Sequence, residues 1–192
     1  MSYIFPGIDN LLDNSLCIQN SDRILVAGDY EREDLVHCIL TSIEKRHIQY
    51  SYLLVDYDGK QIPYTLSHKL LDDKHNVILL LFKNSIWHQE ERRVAKYIKK
   101  KRIVAYSGKL DMLSEGPALA DPKQLQKLCE DLKTHLETGK KIVLEGPNGT
   151  YISGACSRIG FESGLYKNPG DGGNFPAGEI YSLGLIDKTV NG

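Results

Sequence analysis

The pattern most suggestive of chemistry in this chain is a glycine-rich loop that ends in a single carboxylate. Residues 170–179 read G-D-G-G-N-F-P-A-G-E, and an apolar run begins at Ile180. Four glycines and a proline exclude the interior of a helix, since glycine costs backbone entropy there and proline lacks an amide donor. Such a loop allows close approach of a backbone to another group. Glu179 is predicted to be a metal ligand or a receptor for a positive charge, and an exposed carboxylate at a strand edge fits the pattern equally well.

Tyrosine is frequent in this chain relative to phenylalanine, with eleven residues against four. A tyrosine ring joins an apolar body to a polar tip, which suits a surface that contacts a peptide. Seven of these residues could line a groove for an extended ligand: Tyr50, Tyr52, Tyr57, Tyr64, Tyr151, Tyr166 and Tyr181. Ordinary packing in strands and at sheet edges explains the same composition and is the simpler interpretation.

Other familiar catalytic patterns are missing from the sequence. The six histidines have no HExxH or other ligand spacing, and neither a GxSxG nor a P-loop sequence occurs. Gly28-Asp29 follows an apolar run, as in a dinucleotide site, but it has one glycine and leads into the acidic residues Glu31, Glu33 and Asp34, which repel phosphate. We therefore assign no catalytic residue.

The amino-acid composition limits the classes of protein to which this chain can belong. The 192 residues are 41% apolar and 26% charged, with a net charge of −1, as in an ordinary soluble domain with no field for nucleic acid. The longest apolar run, residues 77–82, is too short to span a membrane, and the first residues do not resemble a signal peptide. Four scattered cysteines without a CxxC pair predict reduced thiols. The expected location is the cytoplasm, with neither a nucleic acid nor a membrane as partner.

Residues 1–120 are predicted to form an α/β domain. Apolar runs that predict strands alternate with amphipathic segments that predict helices, and continuous apolar strands are typical of a parallel sheet covered on both faces. The predicted strands are 23–28, 50–55, 76–82 and 102–107, and the predicted helices are 7–19, 30–47, 65–71 and 85–101. The fold class is therefore α/β, a three-layer sandwich with a mainly parallel sheet.

Residues 121–192 are predicted to form a smaller, β-rich C-terminal unit. Asp121-Pro122 is a good helix start, and Gly139 ends the helix. Asn148-Gly149 between two apolar runs predicts a β-hairpin. The glycine-rich loop and a last strand over residues 179–185 complete this unit.

Residues 174–181, N-F-P-A-G-E-I-Y, resemble a stretch of the aminopeptidase T family of metallopeptidases. That stretch reads N-hydrophobic-P-x-x-E-hydrophobic-hydrophobic, and 2,5-dihydroxypyridine 5,6-dioxygenase is a related protein. The order of upstream elements is also similar, so the resemblance covers nearly the whole chain but only about the first half of a family member. It implies an α/β domain followed by an incomplete metal domain, in which Glu179 is the first ligand of a two-metal site for Zn, Mn or Co.

The remaining ligands of the family lie downstream of this stretch. Here only residues 180–192 follow, with no histidine and with Asp187 as the one acid. One carboxylate cannot hold two divalent ions, since a zinc site needs three or four protein ligands. The chain alone is thus predicted to bind no cofactor and not to be an aminopeptidase.

Three functions remain open. The first is a non-catalytic accessory protein that binds a peptide and presents it to modifying enzymes, with Glu179 pairing the peptide amine. Its predicted peptide-binding residues are Asn174, Phe175, Glu179, Tyr181 and Tyr151. The second is a fragment or half of a metalloaminopeptidase, and the third is a domain that binds a small molecule or nucleotide at the strand ends. In each case we expect a homodimer or a partner protein to cover exposed surface.

Overall fold

The computed structural model describes residues 5–139 and 141–191, which divide into two compact units. The first unit comprises Met1–Pro122 and Gly164–Ala177, and the second comprises Lys123–Ser163 and Gly178–Gly192. In chain order the strands are β1 (Arg23–Gly28), β2 (Gln49–Leu54), β3 (Val77–Leu81), β4 (Arg102–Ala105), β5 (Ile142–Glu145), β6 (Tyr151–Glu162), β7 (Gly172–Asn174) and β8 (Glu179–Asn191).

Within the described ranges, five helices accompany these strands, and two of them are continued by a π-helical turn. They are α1 (Pro6–Asp9, continued by Asn10–Ser15), α2 (Glu33–Glu44), α3 (Tyr64–Leu71), α4 (Glu90–Arg93, continued by Val94–Ile98) and α5 (Pro122–Thr138). Short 3-10 turns cover Tyr30–Arg32, Leu110–Leu113 and Gly116–Leu119. Among the described residues no helix is long and apolar enough to cross a membrane. All four cysteines carry free thiols.

The sheet of the first unit is wholly parallel, in the order β2-β1-β3-β4-β7. The central strand β3 is apolar at every position, since residues on both of its faces are buried. One face packs Val26, Leu79 and Val104 against α1 and α2, and the other packs Leu80 and Ile103 against α3 and α4. The predicted three-layer α/β sandwich with a mainly parallel sheet is confirmed.

The helix predicted from residue 85 begins later than expected. In the structure α4 starts at Glu90, with Gln89 in extended conformation before it. The Ser85 hydroxyl accepts a hydrogen bond from the Trp87 amide at 3.3 Å. This local bond stabilises a turn that competes with helix formation, which accounts for the late start.

A buried polar network joins the amino-terminal ends of β1, β3 and β4. The Asp22 carboxylate accepts hydrogen bonds from Asn76 Nδ2 at 2.8 Å and from the Gln19 amide at 2.7 Å, and it pairs with Arg102 Nη2 at 2.5 Å. Arg102 Nη1 donates to the Leu16 carbonyl at 2.6 Å. Burial alone would raise the pKa of Asp22, but these donors outweigh it and hold the pKa below its usual range.

The second unit contains an antiparallel sheet in the order β5-β6-β8. β5 and β6 pair with Leu144 opposite Ile152, so the predicted hairpin is confirmed. β8 pairs along most of β6, with an irregularity between Ser153 and Ala155, and it is longer than the predicted 179–185. On the predicted apolar face of α5, Leu128 and Leu132 are exposed.

The glycine-rich loop is divided differently from the sequence prediction, which grouped it with the β-rich unit over 121–192. Residues 164–177 belong to the first unit, where β7 is the fifth strand of the parallel sheet. Only Gly178 and Glu179, at the end of the loop, belong to the second unit. The chain therefore returns to its first sheet after building most of its second.

The network around Asp22 predicts how stability depends on pH. Asp22→Asn leaves the Arg102 charge buried without its partner, so we expect a loss of about 3 kcal/mol in the free energy of unfolding at pH 7. Because the folded-state pKa of Asp22 is lowered, its contribution is present above the unfolded pKa and is lost as pH falls through the folded pKa. Urea unfolding of both proteins at pH 7 and about pH 3 measures this, and an equal gap at both values contradicts it.

Candidate functional site

The residues predicted to bind a peptide are distributed over both units. Asn174 and Phe175 belong to the first unit, and Glu179, Tyr181 and Tyr151 belong to the second. Phe175 is buried in the core, where its ring lies 6.4 Å from that of Tyr106 between centroids. The Asn174 carbonyl accepts a hydrogen bond from the Tyr166 hydroxyl at 2.8 Å.

Glu179 and Tyr181 lie close together at the start of β8. Glu179 is exposed and pairs across the ladder with Glu162, and Tyr181 pairs with Gly160, over which its ring lies. Tyr151 begins β6, nine residues before Gly160. At about 3.3 Å per residue that separation reaches about 30 Å, so Tyr151 is far from Glu179.

The metal role of Glu179 stays a prediction. Within the described part of the chain, no three His, Cys, Asp or Glu side chains are grouped so as to hold a metal ion. Asp187 has no described side chain and lies outside this comparison.

The glycines before Asn174 bring the backbone close to β4. A Cβ atom on Gly172 would lie 2.1 Å from the Ile103 carbonyl oxygen. The Ile103 amide donates to the Asp171 carbonyl at 3.1 Å, and the Phe175 amide donates to the Ala105 carbonyl at 2.9 Å. The glycine-rich loop was expected to bring its backbone close to another group, and in the structure one such group is the backbone of β4.

Two adjoining cavities lie at the carboxyl ends of β1 and β3, where the sequence analysis placed the small-molecule alternative, and Tyr57, one of the predicted groove tyrosines, lines the smaller cavity. Strand order reverses here, because β2 lies on one side of β1 and β3 on the other. α2, which follows β1, packs on one face, and α4, which follows β3, packs on the opposite face. Such a switch point opens a crevice in doubly wound sheets, and ligands commonly bind there.

The smaller cavity, of about 540 Å³, has an acidic lining. Four carboxylates contribute to it: Asp29, Glu31, Asp56 and Asp58. Among the described residues that line it, the one cation is Lys83, whose ammonium already pairs with Glu31 at 3.0 Å. The excess of carboxylates favours a cationic group and disfavours a phosphate.

Asp29 is the most unusual side chain of this cavity. It is 7% exposed, and its Oδ2 accepts a hydrogen bond from the Lys83 amide at 2.7 Å. Its Oδ1 is shielded from solvent and has no hydrogen-bond partner among the described residues. Asp29 occupies the N-cap position of the 3-10 turn that follows, but its side chain makes no capping bond to that turn.

Burial raises the pKa of Asp29. The hydrogen bond from the Lys83 amide and the charge of Arg32 act in the opposite direction, and the charges of Glu31 and Asp56 add to the increase. A buried carboxylate with an unsatisfied oxygen is costly, and a positive ligand group would remove much of that cost.

The larger cavity, of about 780 Å³, combines apolar side chains with basic and acidic ones, among them Asp34 and Asp111, and it shares Glu31 and Lys83 with the smaller one. Its apolar lining is Phe5, Leu35 and Leu110. Arg32 lines it too, and its guanidinium is fixed by the backbone carbonyls of Ser107 and Gly108.

Lys109 is a basic residue with a flexible side chain in the lining of this larger cavity. Its ammonium has no hydrogen bond or ion pair with any residue that the structure describes. A lysine is a compact point charge on a flexible stem. It can therefore reach an anionic group in the cavity without breaking an existing contact.

The two cavities together can hold a zwitterion. The acidic cavity suits an amine, the apolar lining suits a hydrocarbon side chain, and Lys109 suits a carboxylate. The available sequence signal was the set of polar residues just after the strands, such as Asp29, Asp56 and Lys83. These residues can be recognised as one site only when the strand order is known, because the strand order brings the strand ends together.

Comparison of the chain with protein-family models, with curated proteins and with solved structures gave no match.

The pairing of β7 with β4 predicts the effect of adding a single methyl group at Gly172. Gly172→Ala forces β7 away from Ile103, so we expect a loss of about 2–3 kcal/mol in the free energy of unfolding. Gly184→Ala, on β8, is the control, because its Cβ would meet only Ser157 Oγ at 3.7 Å. Chemical denaturation measures both, and equal effects would contradict this assignment.

Proposed function

We propose that this protein is a non-catalytic accessory protein that binds a short peptide in the two adjoining cavities. The peptide amino group lies in the acidic cavity beside Asp29, and its first side chain and carboxylate lie in the larger cavity. This keeps the peptide ligand expected from the sequence and from the resemblance to aminopeptidase T, and it assigns the amine to Asp29 in place of Glu179.

The observation that carries the proposal is the unpartnered Oδ1 of Asp29. Oδ1 is shielded from solvent, so neighbouring groups must shift before a protonated ligand amine can donate to it in a charge-assisted bond, which is stronger than a neutral one. The Lys83 amide holds the other oxygen, so the carboxylate is already oriented before a ligand arrives. Such preorganisation reduces the entropy cost of binding.

The lining supports a peptide over a nucleotide. Both cavities fall within the range of about 300–1,000 Å³ that is usual for small ligands. The acidic cavity has four carboxylates against Lys83 among its described lining residues, so it disfavours a phosphate. A peptide amine, an apolar side chain and a terminal carboxylate each find a suitable group.

The proposed location of this activity is the cytoplasm. Four free thiols fit a reducing compartment, where disulfides are rare. Presentation of the bound peptide to a modifying enzyme remains part of the proposal, since a binding protein without chemistry of its own needs a partner that acts on its ligand.

Asp29→Asn tests the amine site. With the wild type, dileucine should raise the thermal midpoint, because a ligand of the folded state stabilises it. The increase should grow as the pH rises through the raised pKa of Asp29, because its carboxyl group ionises while the α-amino group, with a pKa of about 7.7–8.0, stays charged. In Asp29→Asn we expect affinity to fall at least tenfold, since a hydrogen bond to a charged group contributes about 1.5–3 kcal/mol.

Two controls accompany this measurement. N-acetyl-dileucine lacks the charged amine and should give no shift with the wild type. Asp131→Asn removes an exposed carboxylate on α5 and should bind dileucine as the wild type does. Equal binding of the acetylated peptide, or full binding by Asp29→Asn, would contradict the proposal.

Lys109→Met tests the carboxylate end. The substitution keeps the length of the apolar stem and removes the charge, so we expect about threefold weaker binding of dileucine, as for a solvent-exposed ion pair. Dileucine amide, which has no carboxylate, should bind both proteins equally. Isothermal titration calorimetry gives the four affinities, and an equal loss for both ligands would show that Lys109 does not contact the carboxylate.

A further inference from the structure

The β5 edge of the antiparallel sheet is self-complementary. β5 pairs only with β6 in this sheet, so its other edge is free within the described chain. The strand and the residue before it read K-I-V-L-E, from Lys141 to Glu145. Val143 is 47% exposed and Leu144 is 58% exposed, an unusual degree for apolar strand residues. A free apolar edge is a template for pairing with another strand.

The hairpin register determines which backbone groups face outward. The Gly146 amide donates to the Thr150 carbonyl at 2.8 Å, so this pair is hydrogen-bonded. Hydrogen-bonded and non-hydrogen-bonded pairs alternate along an antiparallel ladder. Leu144 and Ile142 therefore direct their backbone groups to β6. The amide and carbonyl groups of Lys141, Val143 and Glu145 point to the free edge.

We propose that two copies of this chain associate through β5, in antiparallel pairing about a two-fold axis at Val143. In this register Val143 lies opposite Val143 of the second copy, and Lys141 lies opposite Glu145. Each pair consists of outward-facing residues, which exchange two backbone hydrogen bonds in an antiparallel ladder. The two three-stranded sheets then become one continuous sheet.

The side chains match on both faces of this pairing. On one face, each end of the seam brings a lysine ammonium opposite a glutamate carboxylate, and the two valines meet at the centre. On the other face, Ile142 lies opposite Leu144 at both positions. Opposite charges and apolar pairs are the cross-strand combinations that stabilise a sheet. A shift of the register by two residues would place Lys141 opposite Val143 and lose this match.

A second copy fits this edge better than an unrelated strand. The sequence K-I-V-L-E has its charge signs exchanged when it is read in reverse, and the two-fold symmetry of a homodimer uses that property. The proposed interface uses residues of the second unit, whereas residues of the first unit line the cavities.

A charge exchange tests the proposed dimer. Glu145→Lys and Lys141→Glu each place like charges opposite one another at both ends of the seam, so we expect dimer affinity to fall about tenfold or more for either variant. The double variant Lys141→Glu, Glu145→Lys restores both opposite pairs and should dimerise as the wild type does. An equimolar mixture of the two single variants should form a heterodimer, because each end then has opposite charges.

Sedimentation velocity over about 1–500 μM measures these affinities, since edge pairing alone is a small and weak interface. Glu115→Lys, in an exposed loop, changes the net charge by the same amount as Glu145→Lys and should leave the dimer unchanged. Circular dichroism checks that each variant is folded. A monomeric wild type over this range would overturn the proposal, and so would single variants that dimerise normally or a mixture that fails to associate.

Discussion

Parallel pairing of β1 with both β2 and β3 is the constraint on which the first unit depends. Because the connections after β1 and β3 pass over opposite faces of the sheet, the chain diverges at their carboxyl ends and leaves a crevice. The hydrogen bond from the Lys83 amide to Asp29 spans this crevice and holds the two strand ends together. The same bond turns the Asp29 carboxylate into the cavity and away from the helix it precedes.

Two buried carboxylates at opposite ends of the sheet, those of Asp22 and Asp29, differ in their hydrogen bonding and in the direction of their pKa shifts. Both oxygens of Asp22 have partners, and its pKa is lowered, as befits a group that stabilises the fold. Asp29 has one oxygen without a partner among the described residues, and its pKa is raised by burial. The fold gains nothing from leaving that oxygen unsatisfied. In the function proposed above, the ligand amine supplies the missing donor.

Strands and the hairpin could be predicted because burial on both faces requires continuous apolar runs and because Asn148-Gly149 fits a tight turn. The pairing of β7 with β4 could not be predicted, because a glycine permits close approach to a backbone without indicating which strand that backbone belongs to. A ligand site at the strand ends was one predicted alternative, but the side chains that line it could not be predicted. Asp29 and Lys83 are 54 residues apart, and only the strand order brings them together. Local periodicity contains no information on that order.

The measurement that tests the role of Asp29 most directly is its own titration, followed by carboxyl ¹³C NMR with and without saturating dileucine. We predict a pKa above the usual aspartate value of about 3.9 in the free protein, because burial disfavours the charged form. With dileucine bound, the pKa should fall, because the ligand ammonium stabilises the carboxylate. An identical Asp29 titration in the presence and absence of bound dileucine would contradict the assignment of the amine to this residue.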